Sequence, residues 1–196
     1  MKGVDGVGML AAMTQPLVIG VLVGNPRPAS RTFNAALALR EAVRRALSAQ
    51  GAEVAADGPL VDAAGLAPSV FEPGSTAVRE ALDRLATADV LVVASPTYKA
   101  TYTGLLKAIL DQAPGNWLRG KTAVPVLVAA ADKHALAVEL HLKPLLAELG
   151  AAVPARGVFV NEEVLSVDQD RLTGALGELL AEAGWFTSPV GVGAAR

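Results

Sequence analysis

Seven apolar residues, Leu17 to Val23, run into Gly24, then a short polar loop, Asn25 to Arg31, then a helical pattern from about Thr32. A short run rich in Val, Leu and Ile suits a strand buried on both faces, as in a parallel sheet. A strand that turns at once into a helix leaves backbone N–H groups pointing out of the turn, and the helix dipole adds partial positive charge there. This loop also carries two guanidinium groups, Arg27 and Arg31, and two hydroxyls, Ser30 and Thr32. Such a convergence of donors and positive charge fits a phosphate dianion. The competing interpretation is that both arginines are solvated loop charges and Ser30 is only a helix N-cap.

The rest of the chain repeats the alternation. A weak second strand is expected at Ala52 to Ala56, after a helix from about Ser30 to Gln50 that stops at Gly51. Asp57 to Gly74, rich in Pro, Gly and Asp, reads as a long irregular connection of the kind that forms binding or interface loops. Further helices are expected at about Ser75 to Ala86, Tyr102 to Gln112, His134 to Leu149 and from Asp168 to Gly184. Further strands are expected at Asp89 to Ala94, Thr122 to Ala129 and Gly157 to Val160. Pro144 marks a kink or break in the fourth helix. Alternating strands and helices predict one doubly wound α/β domain over residues 17–186, with strand order 2-1-3-4-5. The ligand then lies beyond the carboxyl ends of the first and third strands, where the winding reverses. Residues 1–16 read as a loose leader and 187–196 as a frayed tail.

Composition narrows the function. Net charge is −2 and there is no cysteine, which argues against a nucleic-acid face and excludes disulfides and thiolate metal sites. The longest apolar runs, Pro16 to Gly24 and Ala123 to Ala131, are about half the length that spans a bilayer. Nothing in the leader has the form of a signal peptide, so a cytoplasmic protein is expected.

Three other stretches carry possible chemistry. Gly115 to Thr122, GNWLRGKT, formally matches a Walker A loop, but it follows a helix and opens a strand, which is the wrong context. It reads instead as an ordinary connection with Trp117 and Leu118 under the core. Ser95 to Gly104, SPTYKATYTG, places Tyr98 and Tyr102 beside the expected switch point. A flat ring system would rest there, its edge read by backbone near Lys99 and Ala100; packing of both tyrosines at a subunit interface fits the spacing equally well. His134 and His141 are seven apart, too far for a zinc pair without a third ligand, and no metal site is expected. A dinucleotide fingerprint is missing, since only Gly24 stands in the first turn.

GNPRPASRT and SPTYKATYTGLLKAILD, with GKTAVPVLVAA, the helix from His134 and GVFV at Gly157, resemble the NAD(P)H-dependent FMN reductases, a flavodoxin-like family. The likeness is greatest to the flavin reductases that supply alkanesulfonate monooxygenases, and it covers most of residues 17–160. It implies that Asn25, Arg27, Ser30 and Thr32, with Arg31 beside them, form an FMN phosphate loop. It implies that Pro96, Thr97, Tyr98 and Lys99 line the isoalloxazine edge. The family's Gly-Gly pair after the fourth strand is Ala129-Ala130 here, where two methyl groups would crowd the ring. The inserted Tyr of the sulfonate-linked members, tied to their tetramer interface, is replaced by Leu140, next to His141.

The resemblance implies hydride transfer from NAD(P)H to FMN, with the cofactor carrying the chemistry and no residue assigned as acid or base. Reduced FMN would pass to a partner monooxygenase. Two alternatives remain open: an oxidoreductase that retains FMN and reduces quinones or azo dyes, and a flavodoxin-type electron carrier. A homodimer or homotetramer is implied, with Asp57 to Gly74 and the fourth helix as contacts. No nucleic-acid or membrane partner is expected.

Overall fold

The computed structural model describes residues 15–186. The leader up to residue 14 and the tail over 187–196 lie outside the described residues. Five parallel strands, β1 (Ile19–Val23), β2 (Leu60–Asp62), β3 (Val90–Pro96), β4 (Thr122–Ala129) and β5 (Val158–Asn161), form one sheet in the order 2-1-3-4-5. This is the flavodoxin-like doubly wound order, as expected.

Residue alternation explains why the sheet is covered on both sides. Ile19, Val21 and Val23 of β1 face the same core as Val90, Val92, Val124, Val126 and Val158. That core is closed by helices α1 (Arg31–Ala49) and α5 (Gln169–Glu182), through Ala36, Leu39, Val43, Leu172 and Leu176. Leu22, Leu91, Val93 and Leu127 face the opposite core, closed by helices α2 (Thr76–Leu85), α3 (Gly104–Leu110) and α4 (Lys143–Glu148). A central strand seldom tolerates proline, yet Pro125 lies within β4. Ala123 N–H donates to Ala152 on the β5 side, and β5 itself pairs only from Val158, opposite Val126. Pro125 thus lies in the gap where no ladder bond is required.

Two expectations are corrected. The second strand is not at Ala52 to Ala56; there only Val54 forms an isolated bridge, to Leu17. The ladder resumes at Leu60, inside the stretch expected to be irregular, because Gly58 brings its backbone against β1. A Cβ at Gly58 would lie 2.2 Å from the Ile19 carbonyl oxygen. The fourth helix is not continuous. It comprises a 3₁₀ turn at Asp132–His134, a π-helical turn at Val138–Leu142 and α4. Pro144 has no N–H for the Leu140 carbonyl, and its ring crowds that carbonyl, so the chain widens there.

GNWLRGKT connects α3 to β4 at the amino edge of the sheet. Trp117 is buried and donates from Nε1 to the Leu82 carbonyl (3.3 Å), and Lys121 Nζ donates to the Ala88 carbonyl (2.8 Å). The segment is a connection that covers the core, not a phosphate loop.

Candidate flavin site

The loops after β1 and β3 leave adjacent strand ends for opposite faces of the sheet, which opens a crevice between them. The two strand ends are locked together beneath it. Gly24 N–H donates to the Ala94 carbonyl (2.7 Å), and the buried Thr103 hydroxyl donates to the Gly24 carbonyl (2.5 Å). Thr103 Oγ1 also accepts from Leu106 N–H, capping α3, and Ser95 Oγ accepts from Thr103 N–H. Gly24 itself admits no side chain: a Cβ would lie 2.6 Å from Leu106 Cβ.

The loop after β1 is shaped from within. Asn25 is buried, and its Oδ1 accepts from Arg27 N–H (3.0 Å) in an Asx-turn. Its Nδ2 donates to Thr32 Oγ1 (3.4 Å). Ala29 takes a left-handed conformation (φ 48°), and its N–H donates to Asp62 Oδ2 (3.1 Å). Ser30 is the N-cap of α1, its hydroxyl accepting from Phe33 N–H (3.2 Å). The N–H groups of Arg31 and Thr32 lie in the first turn, where a helix offers them no acceptor. The Arg27 side chain is exposed and, among the described residues, engages no carboxylate. The Arg31 guanidinium is tied to Glu162 at 2.7 Å. The structure therefore brings Asn25, Arg27, Ser30, Arg31 and Thr32 into one loop, with different tasks: Asn25 and Thr32 brace it, Ser30 caps the helix, and Arg27 is the unengaged cation.

The loop after β3 supplies a second wall. Tyr98 and Thr101 exchange backbone hydrogen bonds (2.8 and 3.3 Å) across Lys99 and Ala100, both left-handed at φ 52° and 68°. Two positive φ values make this a type I′ turn, which non-glycine residues enter only against steric resistance. Pro96 ends β3 and is buried, Thr97 N–H donates to the Val128 carbonyl (2.7 Å), and Tyr98 is 44% exposed. Thr97 Oγ1 is buried with no hydrogen-bond partner. Of the Ala129-Ala130 pair, Ala129 ends β4 and is buried while Ala130 is exposed, so only the Ala130 methyl stands at the surface.

Three residues on this rim were not singled out by their sequence: Asp62, Thr103 and Glu162. Each lies directly at the end of a strand or at a helix cap, and that position was the available signal. His134 and His141 belong to neither loop; they stand on the 3₁₀ and π turns that follow β4. Among the described residues no three His, Cys, Asp or Glu side chains gather as a metal site.

The residues fit FMN. The first-turn amides and Arg27 present donors for a phosphate, and the I′ turn with the unpartnered Thr97 hydroxyl presents a polar edge for a ring system.

Comparison with known proteins gives the family. The family model described as NADPH-dependent FMN reductase matches residues 17–165. The chain is 41% identical over 88 residues to an FMN reductase (NADPH) of Escherichia coli, covering 45% of this chain and 46% of that one. It is 33% identical over 162 residues to an FMN reductase (NADPH) of Pseudomonas aeruginosa, covering 76% and 80%. Several of these alignments span only about half the length of the curated relatives. Among solved structures, an NADH:FMN oxidoreductase in its apo form superposes with a TM-score of 0.66 at 28% identity, covering 85% of this chain and 90% of that one.

Proposed function

The chain belongs to the NADPH-dependent FMN reductase family, and from that premise we propose that it transfers hydride from NAD(P)H to FMN and hands reduced FMN to a partner monooxygenase. The observation that carries this reading is the pairing of the Gly24–Thr32 loop with the Tyr98–Thr101 turn on either side of the switch point. When bound, FMN supplies the hydride acceptor. The chain's residues bind and orient. Arg27 and the amides of Arg31 and Thr32 hold the phosphate, and the Thr103–Gly24 bond fixes the two walls relative to each other. The Thr97 hydroxyl and the backbone of Lys99 and Ala100 face the ring edge. The exposed Ala130 methyl limits how closely a second ring can stack. No residue is given an acid–base task.

The same proposal places the protein in the cytoplasm; among the described residues, no helix is long and apolar enough to cross a membrane. It also makes the protein a homodimer or homotetramer. Phe71 (85% exposed), Leu136 and Leu140 are large apolar side chains left in solvent on the loop before α2 and on the segment before α4, the two contacts named above.

The test is oxidation of NADH and NADPH by the purified protein with added FMN. Turnover that depends on FMN, by a protein that loses its flavin on dialysis, is the expected result. No oxidation with either nucleotide overturns the reading in favour of an electron carrier. A protein that stays yellow after dialysis favours the flavin-retaining oxidoreductase.

A further inference from the structure

Two donors of the phosphate loop already have carboxylate partners. Ala29 N–H is held by Asp62, the last residue of β2, at 3.1 Å, and the Arg31 guanidinium is held by Glu162, the first residue after β5, at 2.7 Å. The loop is flanked by acid on both sides. The Glu162 side chain is 32% exposed and that of Arg31 67% exposed. Asn161 Oδ1 accepts from Glu163 N–H (3.1 Å) and caps the turn Glu162–Ser166, while Asn161 Nδ2 donates to Asp132 Oδ1 (2.7 Å). The loops after β4 and β5 thus fix the backbone turn from which Glu162 reaches Arg31.

A dianion entering this loop meets one unengaged guanidinium, Arg27, and one already neutralised, Arg31. We infer that Glu162 is an affinity-setting residue: by neutralising Arg31 and adding negative charge to the phosphate mouth, it weakens the grip on FMN and keeps the flavin an exchangeable substrate rather than a resident group. This inference rests on the phosphate loop proposed above. It deepens that proposal by assigning the ease of flavin release, which a reductase supplying a second enzyme requires, to a particular carboxylate. A purely structural Glu162, one that holds Arg31 in place for the phosphate, predicts the opposite sign when it is removed.

The experiment is a fluorescence titration of wild type, Glu162→Gln and Arg31→Ala with FMN and with riboflavin, which lacks the phosphate. Glu162→Gln is expected to bind FMN about three- to fivefold more tightly, the size of a partly exposed charge interaction, with riboflavin unchanged. The gain shrinks at high salt, because the interaction is screened. Arg31→Ala is expected to cost more FMN affinity in the Glu162→Gln background than in wild type, since only there is Arg31 released to the phosphate. Weaker or unchanged FMN binding by Glu162→Gln overturns the inference while leaving the phosphate loop standing. Equal wild-type affinity for FMN and riboflavin overturns both. Glu162→Ala provides a second removal of the charge, with the melting temperature of each variant reporting on its fold.

Discussion

Arg27 and Arg31 stand four residues apart in one loop, yet only one of them is unengaged. Their spacing gave no sign of this, because the partner of Arg31, Glu162, is 131 residues away in sequence. Arg27→Ala is expected to weaken FMN binding by about 1.5–3 kcal/mol, the range for a charge-assisted hydrogen bond, with riboflavin binding unaffected. An unchanged FMN titration removes Arg27 from the site. Gly24 was legible as a turn residue, but its stricter constraint, close approach of Leu106 on α3, was not. Gly24→Ala puts a methyl carbon 2.6 Å from Leu106 Cβ and is expected to cost about 1–3 kcal/mol of stability, read by urea denaturation. Asn25 and Ser30 show the limit of residue types as evidence: both carry polar atoms suited to a phosphate, and both use them to build the loop.

At the scale of elements, β1, β3 and β4 were readable because continuous apolar runs have few other uses. The position of β2 was misleading. The stretch from Ala52 to Ala56 pairs only through the bridge of Val54 to Leu17; the chain bends at Ala56, and the ladder with β1 forms after Gly58 lets the backbone approach it. The fourth helix broke where Pro144 signalled it, but a π turn has no residue pattern that separates it from an α turn. The Tyr98–Thr101 turn strains two residues, and Ala100→Gly is expected to raise stability by about 1 kcal/mol by relieving one left-handed Cβ. A drop in melting temperature would contradict that assignment. On α1, the hydrogen bond from Arg44, with help from Arg45, holds the Glu41 carboxyl at about 2, below its usual range of 4.5. A depressed folded-state value means that this contribution is present above the unfolded value and is lost as pH falls toward 2. Glu41 is a third exposed, so Glu41→Gln is expected to cost under about 1 kcal/mol at pH 7 and progressively less from pH 4.5 down to 2. Paired chemical denaturation at these pH values checks the trend.

For the molecule as a whole, the alternation of five strands with helices fixed the winding, and the winding fixed where two polar loops had to meet. What the chain order could not show is which rim groups are already paired, since Asp62 and Glu162 reach the rim from the outer strands β2 and β5, and Asp132 from the turn after β4. The central claim is that the bend after β1 binds the phosphate of FMN. Titrating the wild-type protein with FMN and riboflavin side by side tests it most directly. The account predicts at least about tenfold tighter binding of FMN, the contribution of one charge-assisted contact at its lower limit. Equal affinity for the two flavins would contradict it.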